Sequence, residues 1–346
     1  MAAPAELGVD TALDFLAGRV ELSGPVTIRE LGGGVSNNVV LVEDAAQRIV
    51  LKQSLPRLRV RDEWLAERAR IHREWEVMRA LRDVLPAGRL PALLFRDKRR
   101  FLYAMRAAPA GSSDWKTRLL AGDFSPNTAR LAGATLGLIV RGTWGKPEFR
   151  QAFSDRSAFN QLRTDPYYRT VAMRHRRLAG AVTNWIAESS ARQTALVHGD
   201  WSPKNLLVRP GQLVCIDFEC AHFGDPSYDA AFMLNHLILK AFHRPALAAS
   251  YFHLARVAFC WTLGMLPRGA LGWFEASSMR HLAFLMLARI DGKSPVEYLR
   301  AETVQRAVRR LAMDLIDSCP ATLDSTLARA GRSLAAYSGG NPIRRP

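Results

Sequence analysis

"LVHGDWSPKNLLVRPGQLVCID", residues 196–217, is the stretch on which the reading of this chain turns. An apolar run breaks into His-Gly-Asp, crosses a Pro-containing turn, reaches Asn205, and gives way to apolar residues again. Asp, Asn, Ser, Gly and Pro are what turns are made of, so composition alone accounts for a loop here. The order of the residues after Asn205 asks for more. Residues 206–208 read as a strand, "RPGQ" as a turn, and 213–216 as a returning strand. Asn205 precedes the first strand and Asp217 follows the second, equidistant from Gly211. Antiparallel pairing is expected to set the two level at the open end of the hairpin.

An amide oxygen beside a carboxylate is a pair of hard-oxygen ligands of the kind Mg²⁺ takes, with phosphate oxygens and water completing the octahedron. Asp200, on the preceding turn and not itself a ligand, is placed to accept or orient a hydroxyl proton. His-Gly-Asp, four residues, Asn, a short hairpin, then an apolar strand ending in Asp is also the order of a kinase catalytic loop and its metal-binding Asp. Such a loop requires a nucleotide clamp elsewhere in the chain.

The first hundred residues supply candidates. "VTIREL", "NVVLVE" and "RIVLKQ" read as three strands, with "LGGGVSNN" joining the first two. Glycines in that turn, Gly33 and Gly34 foremost, let backbone N–H groups approach phosphates, and Ser36 and Asn37 follow them. Lys52 lies in the third strand among apolar neighbours, where a phosphate-reaching lysine belongs. Residues 63–84 carry Ile71, Trp75, Met78 and Leu81 at helical spacing, and Pro86 stops the pattern. Glu74 shares the face of Ile71 and Met78 and is the favoured ion-pair partner of Lys52. Glu67, one heptad earlier, is the alternative; Glu76 points elsewhere.

"LPALLF" and "FLYAM" form a further hairpin, and "RAAPAGSSD" (106–114) is a small-residue joint. Beyond it the pattern is helical apart from the β interruption around 196–217, with helices at 228–242, 247–264 and about 276–290, and a tail, "AAYSGGNPIRRP", that reads as frayed. The organisation expected is α+β and bilobal. A β-rich nucleotide-clamping lobe with one main helix (1–105) is followed by a hinge (106–114) and a larger, mostly helical catalytic and acceptor-binding lobe (115–346).

Composition narrows the classes. The chain has 346 residues, 48% hydrophobic and 23% charged, which is globular rather than disordered. No run reaches the roughly 20 apolar residues of a membrane span, and the start lacks a basic-then-apolar leader. Four cysteines without a CxxC pair, and histidines without HExxH, argue against a disulfide framework or a zinc site and for a reducing cytoplasm. The net charge of +16 comes almost wholly from arginines scattered along the chain, not clustered as a nucleic-acid footprint requires.

With these residues in place, the chain resembles the aminoglycoside phosphotransferase and choline kinase superfamily, small-molecule kinases with a protein-kinase-like fold. "HGDWSPKN" and "IDFECAHFGDPSYD" are similar to that family's two signature segments, and "LKQSLPRLRVRDEWLAERARIHREWEVM" is similar to the matching stretch of methylthioribose kinases. The resemblance implies ATP and Mg²⁺ as cofactors. It implies Asp200 as base, Asn205 and Asp217 as metal ligands, Lys52 as the phosphate lysine and Glu74 as its partner. Glu219, in Asp-Phe-Glu, would assist the metal. Lys204 would lie near the transferred phosphate, or else be a turn lysine in solvent. His198 and Asp229 would brace the loop. Arg289 would contact the acceptor, although a helix-terminal Arg also suits the helix dipole.

The expected activity is transfer of the γ-phosphoryl group to a hydroxyl of a small molecule. The part after the hinge carries many more Lys and Arg than Asp and Glu. That asymmetry favours a sugar-like or carboxylated metabolite over an aminoglycoside. An aminoglycoside or choline-type kinase, and a nucleotide-binding regulator without turnover, are the alternatives.

Overall fold

In the structure, a computed structural model, residues 6–32, 36–59 and 64–339 are described. Gly33 and Gly34 lie outside the described residues.

Five strands form an antiparallel sheet: β1 (Thr27–Glu30), β2 (Asn37–Glu43), β3 (Arg48–Ser54), β4 (Leu93–Asp97) and β5 (Leu102–Arg106), in the order β1-β2-β3-β5-β4. Period-two alternation gives the sheet two apolar faces. Val40, Val42, Ile49, Leu51, Leu102 and Ala104 turn to one side, where Phe15 and Leu16 from the N-terminal segment cover them. Leu41, Val50, Tyr103 and Met105 turn to the other and join the core that contains Ile71, Val77, Met78 and Leu81 of the Arg70–Leu81 helix. Lys52 has the parity of Val50, so alternation alone aims it at that helix. The helix is shorter than its apolar spacing predicts, beginning at Arg70. Ahead of it the Leu58 and Ala66 N–H groups donate to the Trp64 and Pro56 carbonyls, so Arg57 and Leu65 meet as an antiparallel bridge and not as part of a helical turn.

The larger lobe is helical. The Pro126–Thr143 and Ala248–Met265 helices cross at Gly133, where even a Cβ would stand 1.9 Å from the Ala258 carbonyl oxygen. The Ser227–His243 helix is buried over nearly its whole length, packed against the Ala248–Met265 and Phe274–Asp291 helices. Its apolar residues lie all round the helix, as they do where a helix is enclosed on all sides, and Asp229, Asn235, His236 and Lys240 are buried among them. The Leu323–Gly339 helix takes up Ala335 to Gly339, part of the tail expected to fray. Among the described residues no helix is long and apolar enough to cross a membrane.

Between these helices lie five short strands: β6 (Ser113–Asp114), β7 (Ala195–Val197), β8 (Leu206–Arg209), β9 (Gln212–Cys215) and β10 (His222–Gly224). β7 pairs with β10, and β6 with β8, so the segment read as a joint inserts its last two residues into the catalytic hairpin's sheet. The fold is α+β and bilobal, protein-kinase-like in organisation.

Candidate active site

The β8–β9 hairpin forms as expected, with its register displaced by one residue. Arg209 pairs with Gln212 across a two-residue Pro210-Gly211 turn, so Leu206 faces Cys215. Asn205 is therefore level with Ile216, whose N–H donates to the Asn205 carbonyl at 3.1 Å. Asp217 comes one residue later and has φ +71°, in the left-handed region. That turn, uncommon for a non-glycine residue, accompanies an Asp217 side chain that reaches Lys52.

Lys52 Nζ donates to both Glu74 oxygens, at 2.9 and 2.7 Å, and lies 2.6 Å from Asp217 Oδ1. The Lys52 and Glu74 side chains are almost fully enclosed. Burial favours the neutral lysine, but Asp217 and Glu74 outweigh it and hold Lys52 well above its ordinary value. Two carboxylates share this one ammonium, and they diverge: burial pushes Glu74 up to about 7, while Asp217, despite burial, is held far below the carboxylate range by Lys52 and Lys204. Glu67 is exposed and hydrogen-bonds Gln161, and Glu76 pairs with Arg79 and Arg96, so neither reaches Lys52.

Asp200 sits on the loop after β7, next to Gly199 at φ +79°. A Cβ on Gly199 would lie 2.7 Å from Cys220 Cβ and 2.8 Å from Cys220 O, so glycine is the residue this corner accepts. The loop hangs from the buried Asp229 carboxylate, which takes the N–H groups of His198 (2.6 Å) and Gly199 (2.9 Å). Burial pushes Asp229 up to about 7 against those two donors. His198 Nε2 meets the Ile216 carbonyl at 3.0 Å, and Nδ1 accepts the Asp200 N–H at 3.1 Å. Burial takes its imidazole down to about 4, so it is a neutral strut between the two loops, as expected.

One oxygen of Asp200, Oδ2, is held by Arg163 at 3.0 Å and Lys204 at 2.9 Å. Its Oδ1 has no partner among the described residues. Burial alone would raise this carboxyl, but Arg163 and then Lys204 keep it below its ordinary value. Lys204 thus pairs with Asp200, and its side chain is 45% exposed. Asn205 Nδ2 donates to the Asp200 carbonyl at 2.9 Å. Its Oδ1, like Asp217 Oδ2, is unengaged among the described residues. No group of three or more His, Cys, Asp or Glu side chains there could hold a metal alone. Two free hard oxygens, one of them anionic, fit a divalent cation whose remaining ligands are phosphates and water.

Glu219, for which the resemblance implies a metal-assisting role, has both oxygens engaged by protein groups. Its Oε1 accepts from Ser36 Oγ (2.7 Å), and its Oε2 from Asn37 Nδ2 (3.0 Å) and Arg70 Nε (3.1 Å). Arg70 also donates to the Ser36 and Leu55 carbonyls. Ser36 and Asn37, expected at the nucleotide, here belong to this buried knot between the sheet and the Asp-Phe-Glu segment. Arg289 is not in contact with Asp200; it donates to Tyr167 Oη (3.1 Å) and to Ser294. Arg163 and Arg70 are central to the site and were not found in the sequence. Arg163 lies in a π-helical stretch, Asn160–Arg169, where no 3.6-residue period marks its face.

A profile of the "Phosphotransferase enzyme family" matches residues 27–260, more than half of the chain. Methylthioribose kinase 2 of Oryza sativa subsp. japonica is 28% identical over 257 residues, covering 66% of this chain and 59% of the relative; methylthioribose kinase 1 of the same plant is also 28% identical, with 63% and 57% covered. The chain thus spans less than two thirds of the length of these curated relatives. Among solved structures, an amicoumacin kinase in complex with AMP-PNP, Ca²⁺ and Ami superposes with a TM-score of 0.54 at 13% identity, covering 90% of this chain and 94% of that one. An aminoglycoside phosphotransferase from Alicyclobacillus acidocaldarius superposes at 0.51, also at 13% identity, with 96% and 98% covered. At such identities the superpositions speak to the fold, and the profile match to descent: the chain belongs to the phosphotransferase enzyme family.

Proposed function

We propose that the protein is a small-molecule kinase that moves the γ-phosphoryl group of ATP, with Mg²⁺, to a hydroxyl of a small acceptor. The carrying observation is the joint presence of the Lys52–Glu74–Asp217 cluster and, on the adjoining loop, Asp200 with one free carboxylate oxygen. Residues 1–105 form the nucleotide-clamping lobe, 106–114 the hinge and 115–346 the catalytic and acceptor-binding lobe.

Lys52, fixed by Glu74, turns its ammonium to the nucleotide phosphates, releasing Asp217 as the metal carboxylate. Asp217 Oδ2 and Asn205 Oδ1 would hold Mg²⁺, which supplies charge neutralisation at the phosphates when bound. Asp200 Oδ1 receives the acceptor hydroxyl. With Arg163 and Lys204 on its other oxygen, Asp200 is a weak base, suited to orienting the hydroxyl and taking its proton late in a loose transition state. Lys204 is within reach of the charge that develops on the transferred group. Glu219 stays with Arg70, Ser36 and Asn37 and holds the lobes together. It would bind metal only after leaving them. ATP consumption with a panel of hydroxylated acceptors, read by product mass, tests this function. Mg²⁺-ATP binding without phosphoryl transfer to any acceptor would favour a non-catalytic regulator instead.

A further inference from the structure

On the Ser227–His243 helix, Tyr228, Phe232, His236 and Lys240 recur every fourth residue and so form one stripe. Successive rings touch, Tyr228 to Phe232 at 5.5 Å and Phe232 to His236 at 5.0 Å between centroids. The stripe begins at the group that holds Asp200: the Arg163 guanidinium lies 5.8 Å from the Phe232 ring and 5.8 Å from that of Tyr167. Arg289 lies 5.8 Å from the Tyr167 ring and donates to its hydroxyl. At the far end Lys240 Nζ stands 5.2 Å from the Tyr298 ring.

Polar capacity along this stripe is unspent. Lys240 is fully buried, yet among the described residues its ammonium donates only to the carbonyl of His236 in its own helix, at 3.2 Å. No carboxylate pairs with it among the described residues. Tyr228 Oη, Tyr298 Oη and Arg289 Nε are buried without hydrogen-bond partners among the described residues. The acids facing Lys240 are committed elsewhere, Glu297 to Lys116 and Asp114 to the Thr117 N–H and hydroxyl. A buried ammonium without a counter-ion is costly, and a ligand that brings one relieves the cost.

We propose that this stripe is the acceptor subsite of the kinase, and that it takes a carboxylate or phosphate on the hydroxylated acceptor through Lys240, with Arg289 and Tyr298 beside it. The inference rests on the kinase reading and adds the charge of the substrate. Burial, together with Lys116, lowers Lys240 to about 7. Burial, with Lys240 and Arg289, depresses His236 far below its ordinary value, and Lys204 contributes from the catalytic loop. His236 therefore stands neutral, with the charges of both Lys240 and Lys204 acting on it. Lys240 is one helical turn, about 6 Å, further along. A polycation has no acid to meet on this stripe.

The test uses matched acceptors, D-glycerate with glycerol, D-gluconate with D-glucose, and D-ribose 5-phosphate with D-ribose, plus kanamycin. Each is scored for kcat and KM by product mass, and for the melting shift it gives the protein saturated with Mg²⁺-AMP-PNP. The result expected is a preference for the charged member of at least one pair; the pairs that respond tell carboxylate from phosphate. Lys240→Met, similar in length and apolar, should raise KM for that acceptor by about 10- to 100-fold while kcat changes little. Preference for the neutral member or kanamycin, an unchanged KM in Lys240→Met, or no melting shift from any anion would overturn the inference. Failure of the protein to bind Mg²⁺-ATP, measured separately by titration, would overturn the kinase reading instead.

Discussion

Replacing Gly199 by alanine should damage both the fold and the chemistry, and the size of the effect comes from its backbone conformation, the space beside it and the bonds that hold it. The residue is at φ +79°, where a side chain costs about 1–2 kcal/mol. The new Cβ would overlap Cys220 Cβ at 2.7 Å and Cys220 O at 2.8 Å, a kind of overpacking worth about 1–3 kcal/mol. The backbone cannot swing aside freely, because its N–H is held by Asp229 at 2.9 Å and its carbonyl by Arg163 Nε at 2.8 Å. A loss of about 2–5 kcal/mol results, a large share of the roughly 5–15 kcal/mol of a typical domain. Urea unfolding should show a lower midpoint at unchanged slope. Relaxation of the strain moves Asp200, the next residue, so kcat should fall in the molecules that remain folded. Adding Cys220→Gly removes one of the two overlaps and should restore stability in part. An alanine variant with wild-type midpoint and turnover would refute this account of the His-Gly-Asp corner.

Three further outcomes test other parts of the site. Asp217→Ala should abolish productive Mg²⁺-ATP binding and Asn205→Ala should weaken it less, because the ion needs its anionic ligand more than a neutral one; equal, unchanged Mg²⁺ titrations would contradict this. Removing the guanidinium in Arg163→Met takes away the leading cation that holds Asp200 low, so the acidic limb of the kcat profile should move to higher pH. Lys240→Met should stabilise the ligand-free protein most below pH 7. The folded pKa of about 7 lies beneath the ordinary 10.5, so between those values the unfolded chain holds a proton the folded one lacks. Wild-type stability therefore rises with pH across that window; the variant's should not, and the gap, at most about 5 kcal/mol at about 1.4 kcal/mol per unit, should close by pH 10.5.

The Lys52–Glu74 pair was legible because two periods point the same way. Strand parity puts Lys52 with Val50, and helical spacing puts Glu74 with Ile71 and Met78. The catalytic hairpin was legible as an element, but not in its register. Counting from Gly211 overlooked that Pro210 and Gly211 make the two-residue turn between them, and nothing in an aspartate announces the positive φ of Asp217. The partners of Glu219 were not legible, because Ser36, Asn37 and Arg70 are about 150 or more residues away and meet it only in the folded chain. Arg163 escaped because a π-helical segment has no familiar period. Lys240, near the end of an apolar helix, looks in sequence like a charge placed for the dipole, and only the structure shows it enclosed.

The central claim is that Asp200 serves phosphoryl transfer and not nucleotide binding. Its most direct test is the mass of the acceptor product formed from Mg²⁺-ATP by the wild type and by Asp200→Asn, with nucleotide affinity measured alongside. One added phosphoryl group is expected in the wild type, and in the variant near-normal Mg²⁺-ATP affinity with transfer lower by about 10²-fold or more. Undiminished transfer by Asp200→Asn at saturating Mg²⁺-ATP would contradict the claim.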